Sequence, residues 1–204
     1  MAPKITEPEK PIGVVSVCAG AGLADVFMNL GVDQIISGGQ TMNPSTQDIL
    51  EAVNKVPAET VFVLPNNKNI IMAAQQVDAL TPKNVVVIGS KTVPQGVTAM
   101  LNFNPEGSVE ENTQAMTDVL GSVETMQITY AARNSDFDGY DIHEGDYLAM
   151  DGKGLFGTSK DITVLLKGLA EKARDDGREF ITIYYGADTK EKHAQKAADL
   201  FADI

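Results

Sequence analysis

Tryptophan is absent from this chain, cysteine occurs once and histidine twice among 204 residues. A single thiol, Cys18, excludes an internal disulfide and any zinc site built from several cysteines. His143 and His193 stand far apart in sequence, so a histidine-based metal site is not expected. Positive charge is scarce as well: 16 Lys and Arg face 28 Asp and Glu, a net charge of −12. A surface this acidic repels phosphate backbones, so a nucleic-acid partner is not expected. No run approaches the ~18 uninterrupted apolar residues of a membrane helix. The polar, proline-rich stretch Met1–Pro11 does not resemble a signal peptide and reads as a linker over 1–11. A cytoplasmic location follows as an expectation.

What is present is the composition of a globular protein, 43% hydrophobic and 22% charged. Up to about Phe103, short apolar runs alternate with helical periodicity. The runs are Ile12–Cys18, Val32–Ile36, Thr60–Leu64 and Val85–Ile88. Between them, Leu23, Val26, Phe27 and Leu30 share a helical face, with Gly31 as a stop. Ser45 and Asp48 make a capping-box pair ahead of Ile49, Leu50 and Val53, and Pro57 ends that helix. Asn66 or Asn67 is expected to cap a helix whose inner face is Ile70, Ala73, Ala74, Val77 and Leu80. Thr92 and Pro94 open a shorter helix through Leu101. Continuous apolar strands alternating with helices predict a parallel sheet covered on both faces.

Ser108–Leu120 reads as one more helix, after which the pattern changes. Met126, Ile128 and Tyr130 alternate as in a half-buried strand. Asp138-Gly139 and Asp151-Gly152 are hairpin-turn dipeptides. Ile162, Leu165, Leu166, Leu169 and Ala173 mark an amphipathic helix. Phe180–Tyr185 reads as a strand, and Thr189–Phe201 as a final helix. The expected architecture is therefore α/β: a parallel α/β region over 12–120 and a smaller α+β region with antiparallel hairpins over 121–204.

Several motifs are incomplete. Gly20-Ala21-Gly22-Leu23-Ala24-Asp25 follows a strand and opens a helix, as a dinucleotide fingerprint does, but aspartate stands where the third glycine belongs and would repel a pyrophosphate. Gly152–Thr158 has phosphate-loop spacing without its lysine, and lies in a hairpin. Asp136, Asp138 and Asp141 resemble part of a calcium loop that lacks the closing glutamate. No Ser-His-Asp or Cys-His pairing is legible, so no catalytic residue is assigned.

The more informative pattern is positional. Ligands of open parallel sheets bind beyond the carboxyl ends of the strands. Four such ends carry polar sequences: Ala19-Gly20, Ser37–Ser45, Pro65–Asn69 and Gly89–Thr92. Gly38 and Gly39 are expected to offer free backbone N–H groups. Helix N-termini near Ser45, Asn67 and Pro94 are expected to present positive dipole ends, with Lys68 and Lys91 adding charge. The candidate ligand- or partner-binding residues are Gly38, Gly39, Gln40, Thr41, Asn43, Ser45, Asn66, Asn67, Lys68, Lys91, Thr92 and Arg133. The same residue types also serve as helix caps and turn formers.

At these loops the chain resembles a known family. Ser37–Thr46, Val63–Ile70 and Lys91–Gly96, with Tyr130-Ala131-Ala132-Arg133, Gly139–Asp146 and Ile181–Gly186, look like the C-terminal region of bacterial fatty acid kinase FakA-type proteins. These are YloV-type proteins with an N-terminal DhaL-like, dihydroxyacetone-kinase-type domain. The resemblance covers about Gly13 to Ile204. It implies a fold similar to the DegV-like fatty-acid carriers of the FakB type. It also implies a role in docking such a carrier, so that the separate kinase domain, which takes ATP and magnesium, phosphorylates the carried fatty acid's carboxylate for phospholipid synthesis. No cofactor is expected in this domain itself. The kinase and linking domains would be further partners within the full-length chain.

In the carriers, polar residues after the second and third strands hold the carboxylate. Thr41 and the Asn66/Asn67 pair look similar in position, but asparagine stands in place of a hydroxyl-rich loop. Family members also continue into a final strand that is not found after Ile204. The resemblance thus implies a docking module. The polar sheet edge, taken by itself, points to the alternative of a small-ligand or fatty-acid carrier binding an anionic head.

Overall fold

The computed structural model of this chain describes residues 5–39, 42–137 and 139–203. Two compact units divide at Val123 and Glu124.

In the first unit, strands β1 (Lys10–Cys18), β2 (Gln34–Ser37), β3 (Ala58–Leu64) and β4 (Asn84–Val87) form one parallel sheet in the order β2-β1-β3-β4. Its helices are α1 (Ala21–Asn29), α2 (Thr46–Lys55), α3 (Ile71–Gln75), α4 (Val93–Leu101) and α5 (Val109–Asp118). The strand order explains which face each helix covers. The chain moves one way from β1 to β2, then reverses across β1 to reach β3. Right-handed crossovers therefore send α1 to one face and α2 to the other. The core follows this split. Val15, Val17, Val61 and Val63 point to the face holding Ile49, Val53, Ile70 and Ala74. Ile12, Val14, Phe62 and Leu64 point to the face holding Phe27, Ala99, Met100 and Met116. Alternate side chains of one strand feed opposite layers, which is why β1 and β3 are largely apolar on both faces.

The helix starts expected at Ser45 and Thr92 are capped as read, and α5 carries a cap that the sequence reading did not name. Ser45 accepts from the Asp48 N–H at 3.2 Å, and the Asp48 carboxylate accepts in return from the Ser45 N–H at 2.8 Å. Thr92 accepts from the Gln95 N–H at 3.3 Å, and Ser108 forms a second capping box with Glu111. The helix expected after Asn66 and Asn67 differs from its reading. It spans only Ile71–Gln75, has Ile70 as its N-cap with no side-chain cap, and gives way to a 3-10 turn at Asp78–Leu80. Leu80 is exposed rather than inward. The asparagines do not cap it because their amides are committed elsewhere. The Ser108–Leu120 helix likewise ends at Asp118 and tightens into a 3-10 turn at Val119–Ser122.

In the second unit, β5 (Gln127–Tyr130), β8 (Tyr147–Asp151) and β9 (Gly154–Ser159) form an antiparallel sheet in the order β5-β8-β9. A separate hairpin pairs β6 (Ser135–Phe137) with β7 (Tyr140–Ile142); Asp138 of its turn dipeptide lies outside the described residues. Helix α6 (Ile162–Asp175) sets Leu165 and Leu169 against Ala149, Ile128 and Phe156. Helix α7 (Glu191–Ala202) packs beside α6 and buries Ala197. The strand expected at Phe180–Tyr185 does not form a ladder. The segment has no strand beside it among the described residues, and Phe180 is 93% exposed. Its residue types favour a strand, but a strand exists only with a neighbour to pair with.

Candidate functional site

The parallel sheet brings all four carboxyl ends to one edge. For a 2-1-3-4 order, the crevice where connections diverge lies between β1 and β3, which is where such sheets take ligands. Here a side chain of the chain itself occupies that place. Asn66, immediately beyond β3, adopts a left-handed conformation with φ of 55°, the only described non-glycine residue to do so. Its Nδ2 donates across to β1, to Ser16 Oγ at 3.0 Å and to the Val17 carbonyl at 2.9 Å. Its Oδ1 accepts from Ser90 Oγ, beyond β4, at 2.7 Å, and its N–H donates to the same Ser90 Oγ at 3.1 Å. Ser16, Asn66 and Ser90 are buried, and both polar atoms of the asparagine side chain are satisfied. The network sews β1, β3 and the β4 loop together. Gly96 of α4 is part of the fit, since a Cβ there would stand 2.0 Å from Asn66 Oδ1.

Asn67 is also buried. Its Oδ1 accepts from the Asn69 N–H at 2.9 Å, closing a local turn. Its Nδ2 stands 3.5 Å from both the Gly39 carbonyl and Asn43 Oδ1, at the limit of hydrogen-bonding distance. It reaches the loop between β2 and α2 without gripping it.

The backbone of that loop is turned inward. Gly38 donates its N–H to the Cys18 carbonyl at 3.1 Å, and Gly39 donates to the Met42 carbonyl at 3.0 Å. The expectation that these glycines present free N–H groups is therefore corrected. Gly38 is glycine for a steric reason: a Cβ would lie 2.8 Å from Pro44 and 3.0 Å from the Met42 carbonyl. Gln40 and Thr41 lie outside the described residues. Asn43 and Ser45 are exposed.

The helix ends are similarly engaged. The N-terminus of α2 holds its own carboxylate, Asp48. Hydrogen bonds from the Ser45 side chain and backbone keep that acid below the usual carboxylate range. Thr92 caps α4, and Gln95 Oε1 accepts from the Lys91 N–H at 2.7 Å. Asn67 starts no helix, so its expected dipole end is absent. Lys68 and Lys91 are exposed at this edge. Arg133 belongs to the second unit, exposed between β5 and β6.

The sequence points to Asn66 and, through Gly89–Thr92, to the loop that carries Ser90, but not to Ser16 or Gly96 as the groups that hold it. The available signal is a lone serine inside an otherwise apolar strand, which calls for a buried partner. A groove of about 460 Å³ along the open edge of β2, lined by Ile36, Pro44, Met42, Glu51 and Lys55, is likewise not legible in the sequence.

The remaining motifs resolve into local structure. Gly20 to Asp25 is a strand-to-helix turn with Gly20 as N-cap. Gly152–Thr158 lies in the β8–β9 hairpin, so it lacks the strand-to-helix setting of a phosphate loop. Asp136 and Asp141 face each other across β6 and β7, and no group of three acidic, histidine or cysteine residues among those described could hold a metal ion. His143, exposed, lies 3.8 Å from Asp141 and 3.7 Å from Asp146. Cys18 is buried, and burial pushes its thiol pKa up, away from reactivity. No described helix is long and apolar enough to cross a membrane.

Comparison with known proteins agrees with the loop sequences. Residues 13–204 match the FakA-like C-terminal family, the C-terminal region of proteins like the A-subunit of fatty acid kinase. The chain is similar to protein YloV of Bacillus subtilis (strain 168), 43% identical over 192 residues, covering 94% of this chain and 35% of that protein. An uncharacterized protein of Staphylococcus epidermidis (strain ATCC 12228) is 35% identical over 175 residues, covering 86% of this chain and 32% of that one. A third relative, from Staphylococcus haemolyticus, is 32% identical over 186 residues, covering 91% and 34%. The chain thus spans about a third of the length of the curated relatives it matches. It belongs to the FakA-like family of fatty acid kinase proteins, whose C-terminal region it matches.

Proposed function

We propose that this chain is the docking domain of a fatty acid kinase. It receives a DegV-like fatty-acid-carrying protein and holds it where an ATP- and magnesium-dependent, DhaL-like domain of the longer protein phosphorylates the carried carboxylate. The product, an acyl phosphate, would feed phospholipid synthesis, and the assembly would be cytoplasmic. The domain contributes surface rather than chemistry.

The single observation that carries this reading is the Asn66 network. A carrier of anionic heads needs donors left open at the β1–β3 crevice. Here the crevice is filled by an amide whose own atoms are bonded to Ser16, Val17 and Ser90. The flanking N–H groups of Gly38 and Gly39 are spent within the chain. A site already satisfied by its own residues gains little by exchanging those bonds for a ligand's. Family membership supplies the partner class, and the net charge of −12 suits a basic face on the carrier.

Calorimetric titration of the 204-residue chain with a DegV-like carrier, loaded and unloaded with fatty acid, tests this. Micromolar or tighter binding supports docking. An absence of binding by a folded chain, together with stabilisation of the chain by fatty acid alone, would replace it with the ligand-carrier alternative.

A further inference from the structure

The β6–β7 hairpin of the second unit is open on both of its faces. Side chains alternate along each strand, so the register sets Phe137 opposite Tyr140 on one face and Asp136 opposite Asp141 on the other. Phe137 is 56% and Tyr140 37% exposed. Asp136 is exposed too, and the Asp141 side chain is 87% exposed. Ile142, on the same face as Tyr140, is buried and anchors the base of the hairpin. Neither exposed pair serves the isolated chain. Carboxylates directly opposite each other destabilise a ladder, and the two rings stay in water. Among the described residues no Lys or Arg forms an ion pair with Asp136, Asp141 or Glu144. Asp141 is approached by the His143 imidazole at 3.8 Å, which carries charge only when protonated. Arg133 is the one Lys or Arg between Ala131 and Asp146 in the sequence.

This combination selects its occupant. A second copy would bring the same carboxylates together, on a chain whose net charge is −12. A phosphate backbone or an anionic lipid surface is repelled for the same reason. A metal ion lacks ligands, since no three acidic, histidine or cysteine residues among those described could hold one. An uncharged apolar partner would strip water from the carboxylates and give them no counter-charge. Arginine and lysine satisfy both faces: they pair with carboxylates and lie favourably over aromatic rings. We propose that the β6–β7 hairpin is the element that the fatty-acid carrier grips, with arginine or lysine side chains of the carrier on Asp136 and Asp141 and its apolar surface on Phe137 and Tyr140. This rests on the docking function proposed above and names its face.

Hydrogen exchange of the 204-residue chain, with and without a DegV-like carrier, tests the face with no substitution. A two-stranded hairpin is marginally stable by itself, so the β6 and β7 amides should exchange fast in the free chain and about tenfold or more slowly on docking. In calorimetric titrations, Phe137→Ser with Tyr140→Ser, and Asp136→Lys with Asp141→Lys, should each weaken carrier binding roughly tenfold or more. Glu59→Lys with Glu106→Lys changes net charge equally from exposed positions of the first unit, and should leave affinity within about threefold. A parent chain that binds the carrier while the hairpin variants bind equally well, or while hairpin exchange is unchanged, overturns this face and leaves docking standing. Equal losses in the hairpin and control variants overturn it in favour of diffuse charge attraction. No carrier binding by the folded parent overturns the docking function and this face with it. Hairpin protection that rises with the concentration of the chain alone overturns it in favour of a second copy.

Discussion

Gly96 and Asn66 meet so closely that no side chain fits between them: a Cβ on Gly96 would stand 2.0 Å from Asn66 Oδ1. The glycine in α4 admits the asparagine. Gly96→Ala should therefore destabilise the fold by about 1–3 kcal/mol through overpacking, despite alanine's better helix propensity. Combined with Asn66→Gly, which removes the obstacle, the loss should be clearly less than the sum of the two. Urea denaturation of the four proteins of that cycle measures the coupling.

Asn66 itself has two separable roles. Its amide satisfies Ser16, Ser90 and the Val17 carbonyl, and its backbone sits in the left-handed region. Truncation leaves buried polar groups unpaired, at about 1–3 kcal/mol. Asn66→Ala adds backbone strain to that loss, whereas Asn66→Gly does not. Both variants should melt below the parent, with Asn66→Ala the lower. An equal melting point for the two would show that the backbone conformation contributes nothing.

In the second unit, Glu124 ties the start of the sheet to the end of α6. It accepts from Lys172 Nζ at 2.6 Å and from Arg178 Nη2 at 2.9 Å, while Lys172 also reaches Asp176. The Lys172 hydrogen bond, with Arg178 adding to it, holds Glu124 below the usual range against the opposing effect of burial. The same lysine lowers Asp176. Folded-state values below the unfolded ones mean that the stabilisation is complete above the ordinary carboxylate range. It is lost as pH falls through the lowered folded values. The urea midpoint should drop between about pH 6 and pH 3. Glu124→Gln should lower the midpoint at neutral pH and flatten that acid decline.

The α2 cap offers a simpler test. Ser45→Ala removes the hydroxyl that accepts from the Asp48 N–H and donates to the Asp48 carboxylate. The expected cost is about 0.5–2 kcal/mol. The carboxyl of Asp48 should move back up toward its ordinary value, which an NMR titration of that side chain reads.

The docking proposed above should, on so acidic a chain, depend on salt through its association rate. Opposite charges steer encounter over about 10 Å at 0.1 M ionic strength and less above it. Raising salt should slow association several-fold with little change in dissociation. Stopped-flow measurements with the DegV-like carrier separate the two; a salt effect confined to dissociation would contradict the steering role.

What the sequence determined by itself is what depends on neighbours close along the chain. The apolar β-branched runs dictated four parallel strands, because a strand covered on both faces must be apolar at nearly every position. Ser45 with Asp48, and Thr92 with Pro94, mark two helix starts, because a cap and its target lie within three residues. The loops at the carboxyl edge are legible as a group, and they carry the family resemblance. Tertiary structure alone decided how those loops are used. Asn66 reads as a cap, but its partners Ser16 and Ser90 lie 50 and 24 residues away, and nothing local encodes that meeting. The same holds for Phe180–Tyr185. Its residues favour a strand, yet pairing belongs to two segments at once, and the fold of the described residues sets none beside it. Propensity is a property of a segment; a filled crevice and an open edge are properties of what the rest of the chain brings to it.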